Sequence, residues 1–132
     1  MSVRKLAAFL ILACSLCLHA QSNSRAIDFT QKLVGFDGKP LMVEDAPKQI
    51  PMTLRDVCAT VLNAPLEEDK KETLAQSYAR GDLIKRIVTT DSFELGSKEI
   101  AEILDRLEKY QNYTAIIKRI VPPLLDPVTY KP

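Results

Sequence analysis

The 132-residue chain has no tryptophan, a single histidine, three cysteines and four glycines. Four scattered glycines do not make a phosphate-cradling loop, which needs several close together so that backbone N–H groups can approach the ligand. An excess of either charge is lacking too: 18 basic residues face 17 acids, for a formal net charge of +1. Such balance gives no electrostatic reason to bind nucleic acid, a membrane surface or another polyanion.

The positions of the scarce residues sharpen these exclusions. Met1-Ser-Val-Arg-Lys5 carries two positive charges and no acid, and it runs straight into the apolar stretch Leu6 to Leu18. These are the charged and apolar regions of a secretory signal peptide. The apolar stretch is about 13 residues, short of the ~20 that cross a bilayer as a helix, so cleavage is expected rather than anchoring. Leu18-His19-Ala20 places a small residue before the expected cut, and Gln21-Ser-Asn-Ser24 is a polar exit. The alternative is lipidation at Cys14, because Ile11-Leu12-Ala13-Cys14 resembles a lipoprotein box. Against it, Ser15 to Leu18 remains apolar where a polar tether belongs.

Cleavage after Ala20 discards Cys14, Cys17 and His19 together. A mature chain without histidine cannot form a Ser/His/Asp or Cys/His centre or a histidine-ligated metal site, and a single cysteine cannot build a thiolate zinc site. Only carboxylates or lysines are left to support catalysis, so no residue is assigned a catalytic, cofactor-binding or metal-binding role and no cofactor is expected. Cys58 has no intrachain partner, and the exported fold must hold without a disulfide or pair between chains. Every acid lies beyond the signal while Arg4 and Lys5 leave with it, so the mature chain is close to neutral. Roughly 110 residues suit one domain that buries its own core.

Along the mature chain, residues 21–30 read as a flexible N-terminal segment, 31–126 as a single small helical domain with an N-terminal hairpin, and 127–132 as a tail. Asp37-Gly38 stands between Lys32-Leu-Val-Gly-Phe36 and Lys39-Pro-Leu-Met-Val-Glu44, and it supplies the positive φ angles of a two-residue hairpin turn. Pro40 lacks an amide hydrogen and makes the second arm an edge. Residues 45–51, with two prolines, read as loop.

Helix signals follow. Thr53 can cap a helix beginning at Leu54, with Asp56 completing an acidic capping box and Met52 and Val57 forming a hydrophobic staple. Leu54, Val57, Cys58, Val61 and Leu62 make its inner stripe, and Asn63 to Pro65 its end. Glu67-Glu-Asp69 places acids where the next helix would start. Leu74, Tyr78, Leu83, Ile84, Ile87 and Val88 follow at roughly helical spacing, interrupted by Gly81 at a cost of ~1 kcal/mol, giving one weakened helix or two short ones. Thr89 to Gly96 reads as connector. Ser97 can cap a third helix with Ile100, Ile103, Leu104, Leu107 and Tyr110 inward and Glu99, Glu102, Asp105, Arg106, Glu108 and Lys109 around the outside. Tyr113, Ile116, Ile117, Ile120 and Val121 mark a fourth, which Pro122-Pro123 should stop. The expected fold class is α+β, mainly α: a small N-terminal β-hairpin followed by about four amphipathic helices in one domain.

Four local motifs have bland readings that outweigh sharper ones. Cys58 sits inward between Val57 and Val61, as a small core hydrophobe rather than a reactive thiol. Ser97 to Leu104 resembles the first helix of a helix-turn-helix unit with Ile116 to Ile120 as recognition helix, yet no glycine turn follows Leu104. Arg80-Gly81-Asp82 matches an integrin-read tripeptide but falls inside a helix. Asn112-Tyr113-Thr114 is an N-glycosylation sequon at a helix junction, where it should be exposed.

The order of features from residue 35 to 125 resembles a group of small bacteriophage and prophage proteins of about 100 residues with no assigned activity. The resemblance rests on Phe36-Asp-Gly-Lys-Pro-Leu41, Met52-Thr-Leu-Arg-Asp-Val-Cys-Ala-Thr-Val-Leu-Asn-Ala-Pro65, Phe93-Glu-Leu-Gly-Ser-Lys-Glu-Ile-Ala-Glu-Ile-Leu104 and Ile120-Val-Pro-Pro-Leu-Leu125. It implies a short hairpin or extended start, a Thr-Leu-x-Asp-Val helix and a helical remainder, and a non-enzymatic protein of particle assembly. A signal peptide departs from that pattern, because particles assemble in the cytoplasm.

The leading functional expectation is a small exported, non-enzymatic module acting by protein–protein binding, through an apolar helix face not used in its own core. Its partner would be a protein, self or other, with no nucleic acid and no stable membrane insertion after cleavage. The alternative is a cytoplasmic phage-type assembly protein whose N-terminus mimics a signal, and the third reading is a carboxylate-based enzyme.

Overall fold

The computed structural model describes residues 25–44 and 47–132. The signal peptide, Cys14, Cys17 and His19 lie outside the described residues. The fold is α+β and mainly α, with a small N-terminal hairpin ahead of four helices. The helices are α1 (Leu54–Asn63), α2 (Leu74–Thr89), α3 (Ser97–Lys109) and α4 (Ala115–Leu125), with a 3-10 helix at Glu67–Lys71 between the first two.

The hairpin turns at Phe36, Asp37 and Gly38. Gly35 N–H donates to the Lys39 carbonyl at 2.8 Å, so three residues rather than two form the loop. Gly38 takes φ +75°, where a side chain would be strained, and the Asp37 carboxylate accepts the Lys39 N–H at 3.0 Å. Its arms are held by single bridges, and a third extended segment closes on them. Leu33 N–H donates to Met52 O at 2.9 Å, Met52 N–H to Leu41 O at 2.7 Å, and Leu41 N–H to Leu33 O at 2.9 Å. The flanking bridges Val34–Pro40, Met42–Pro51 and Lys32–Thr53 complete the ring. Pro40 and Pro51 fit because their neighbours make the ladder bonds there.

This ring delivers the chain into α1. Thr53 caps the helix, its Oγ1 accepting the Asp56 N–H while the Asp56 carboxylate accepts the Thr53 N–H at 2.8 Å. Leu54 N–H donates to Gln31 O and Arg55 N–H to Phe29 O, both at 2.9 Å, so these first-turn donors also find partners. The Arg55 side chain then closes the other end of α2, donating to Ile87 O at 2.9 Å and Thr90 O at 3.2 Å and pairing with Asp91. A cation at a helix C-terminus satisfies orphan carbonyls and opposes the negative end of the dipole.

Two sequence boundaries move. The segment 21–30 is not all flexible: Ala26–Asp28 forms strand β1, and Ile27 and Phe29 are buried in the core. The connector after α2 contains β2 (Ser92–Glu94), antiparallel to β1 with Ile27 opposite Phe93. The Phe29 and Phe93 rings stack at 4.9 Å, with the Arg86 guanidinium 5.2 Å from the Phe93 centroid. Three-residue strands so far apart in sequence carry no periodicity to read.

The prolines do not stop α4, which runs through Pro122 and Pro123 to Leu125. Each removes one intrahelical donor, but both rings are buried against the core, and Asp126 N–H still reaches Pro122 O at 2.8 Å. The core lies between the inner faces of α1, α2, α3 and α4, with Leu54, Leu62, Ile87, Ile103 and Val121 inaccessible or nearly so. Among the described residues no helix is long and apolar enough to cross a membrane.

Candidate protein-binding face

The charged chemistry of the molecule gathers where the 3-10 helix meets α2 and α3. Arg106, expected on the outside of α3, is buried at 4 % exposure. It donates to Ala64 O at 3.0 Å, pairs with Asp69 and lies 3.8 Å from Glu102. Arg80 pairs with Glu72 and stands 3.5 Å from Asp69, while Lys109 joins Glu68 and Asp105 at 2.8 Å each. Arg106 was legible in principle, since it falls three residues after Ile103 and four before Tyr110 on the inward stripe.

An open cleft of about 510 Å³ runs along this network. Asp69, on its wall, is held as an anion. Burial pushes the Asp69 carboxyl up, but the Leu66 N–H and the Arg106 and Arg80 guanidiniums outweigh it and hold it below the usual value. A general acid at neutral pH needs the opposite shift. Among the described residues no His, Cys, Asp and Glu group could hold a metal ion.

Cys58 is fully buried on α1, and burial pushes its thiol up to about 12. It is a small core hydrophobe, free and protonated. Arg80-Gly81-Asp82 lies within α2 with its arginine engaged by Glu72, so the tripeptide is not displayed as a loop. α3 is one uninterrupted helix past Leu104, and on α4 Ile117 is buried while Lys118 Nζ donates to Glu108 O at 2.9 Å. Glycine, not serine, takes the cap of α3: Gly96 N–H donates to the Glu99 carboxylate at 2.9 Å. Asn112 of the sequon is exposed in the link between α3 and α4.

Exposed apolar side chains gather on two surfaces of interest among the described residues. The first is a groove of about 670 Å³ between the second hairpin arm and the α3–α4 link, lined by Leu41, Met42, Tyr110, Tyr113 and Ile116 among others. Tyr110 and Tyr113 meet edge to face at 4.7 Å along it. The second is the outer face of α2, which the spacing alone does not separate from the inner one. The spacing puts Leu74, Tyr78, Leu83, Ile84, Ile87 and Val88 in one roughly helical run, but of these only Leu83 and Ile87 are buried. Leu74 is 86 % exposed, Tyr78 77 % and Val88 46 %.

The division follows from helix geometry. Arg80, Leu83 and Ile87 share the face on the core, whereas Leu74, Tyr78, Gly81, Lys85 and Val88 recur at alternating four- and three-residue spacing on the opposite side. The capping box of Thr73 and Gln76 and an unbroken passage through Gly81 hold both faces on one 16-residue helix. A β-carbon at Gly81 would meet nothing within 4 Å, so this outer face is open. No protein-family model matches the chain, and neither curated proteins nor solved structures yield a match to it.

Proposed function

We propose that the mature chain is a small exported, non-enzymatic module that binds a protein through the outer face of α2. The observation that carries this reading is the apolar stripe of Leu74, Tyr78 and Val88, left outside a core that is already closed beneath it. Isolated exposed apolar residues are ordinary on a protein surface; aligned ones on a single helix face suit helix-to-helix docking. The signal-like N-terminus supplies the export half of the reading, and the loss of the histidine and two of the three cysteines with that signal supports the non-enzymatic half.

Two measurements test it. N-terminal sequencing of the protein from its source should begin near Gln21. An intact Met1 on a cytoplasmic protein would overturn export and favour the particle-assembly reading, and a lipid on Cys14 would replace release by anchoring. Second, Leu74→Glu with Tyr78→Glu should leave the helical circular dichroism unchanged while abolishing association of the mature protein with its partner. Association unchanged in that variant would overturn the assignment of the face.

A further inference from the structure

We infer that the partner of this face is a second copy of the same chain, paired through α2 antiparallel to α2 about Gly81. The inference rests on the reading of the outer face as a binding surface and names its occupant. A two-fold interface must be self-complementary, because each copy offers the same patch to the other. The stripe meets that condition. Leu74 and Val88 stand seven residues to either side of Gly81, so in an antiparallel pair centred there each leucine meets the partner's valine.

Tyr78 precedes Gly81 by three residues and Lys85 follows it by four, so each lysine comes beside the partner's tyrosine ring. An ammonium near an aromatic face is attracted by the ring quadrupole. At the centre the two glycines face each other, and the absence of any heavy atom within 4 Å of a β-carbon there leaves room for close backbone approach. The antiparallel sense also sets the positive N-terminal end of each α2 beside the negative C-terminal end of the other.

The size of the surface fixes the strength. A standard stable interface buries about 1,600 Å² in all, more than one helix pair of this length covers, so association is weak and is sought at protein concentrations of about 100 µM. Sedimentation of the mature protein should show a monomer–dimer equilibrium in that range. Tyr78→Glu should weaken the dimer at least tenfold. Gly81→Ala should weaken it several-fold while raising the thermal midpoint, because alanine favours an exposed helix interior over glycine.

Gly81→Cys should form a disulfide-linked dimer on mild oxidation, whereas Ala79→Cys, on the flank of the helix turned from the stripe, should not. Cys58 is buried and does not compete. A monomer at every concentration, or equal cross-linking at both positions, overturns self-pairing.

A photo-crosslinking residue at position 78 separates this failure from that of the underlying reading. Adducts of twice the chain mass in the purified protein support self-pairing. Adducts only when other exported proteins of the source are added overturn self-pairing and keep the face. No adduct in either condition overturns both.

Discussion

Arg106 donates from Nη1 to the carbonyl oxygen of Ala64 at 3.0 Å, tying the last turn of α3 to the end of α1. Its other terminal nitrogen faces Asp69, so one buried cation joins three elements. Removing one partner of such a pair costs more than removing both, because the survivor keeps its desolvation penalty. Asp69→Asn should therefore destabilise the fold by about 3 kcal/mol. Arg106→Met also removes one partner, but the survivor is the more exposed Asp69, still 3.5 Å from Arg80, so it should cost less, about 2 kcal/mol. Urea unfolding followed by circular dichroism orders the two; a costlier Arg106→Met would remove Asp69 as the anchor.

The same pair sets an acid limit. Asp69 has a folded pKa below its ordinary 3.8, as Asp28 does through its hydrogen bonds from the Thr30 side chain and backbone. For a depressed carboxylate the stabilisation is complete above the unfolded value and disappears as pH falls through the folded one. Stability should be flat from neutral pH to about 5 on their account and decline below about 4. In Asp69→Asn that fall should be shallower. Urea midpoints measured across the acid range check it.

Cys58 gives the matching alkaline limit. Its thiol is pushed from 9.0 to about 12 by burial alone, so above pH 9 the unfolded chain loses a proton that the folded chain keeps. Stability contributed by this group should decline as pH rises from 9 towards 12. At neutral pH the native protein should resist a thiol reagent and become reactive in step with unfolding by urea. Rapid labelling of the folded mature protein would contradict the burial.

The sequence discloses elements whose signals are local. Thr53 and Asp56 are three residues apart and face each other across one turn, so the α1 cap is legible from spacing. Asp37-Gly38 marks the hairpin for the same reason, although loop length depends on which neighbours pair. What stays hidden depends on distant partners. β1 and β2 are three-residue strands brought together by the fold, and nothing in Ala26–Asp28 announces Ser92–Glu94.

Arg106 falls on the inward stripe of α3, but its charge argues for solvent, and only the partners Ala64 and Asp69 decide the conflict in favour of burial. On α2 the pattern was ambiguous: two apolar stripes share one helix, and only the seating of Leu83 and Ile87 against the core decides which faces outward. The candidate face is therefore the part of the helix pattern left over once packing is known.

Phe29 and Phe36 turn that lesson into a measurement. Sequence alone puts Phe29 in a flexible leader and Phe36 inside the first arm of the hairpin. In the fold Phe29 is fully buried, stacks on Phe93 and offers its carbonyl to Arg55 N–H, whereas Phe36 is 74 % exposed at the turn. Phe29→Ala should cost about 3–5 kcal/mol, as expected when a large buried ring leaves a cavity. Phe36→Ala should stay within about 0.5 kcal/mol, as surface changes do. Removing residues 21–29 should be more damaging than Phe29→Ala, because β1, Ile27 and a first-turn partner of α1 leave with the ring. Thermal unfolding of the three proteins gives the comparison, and a truncated domain that melts like the intact one would show that the hairpin ring and helices suffice without β1.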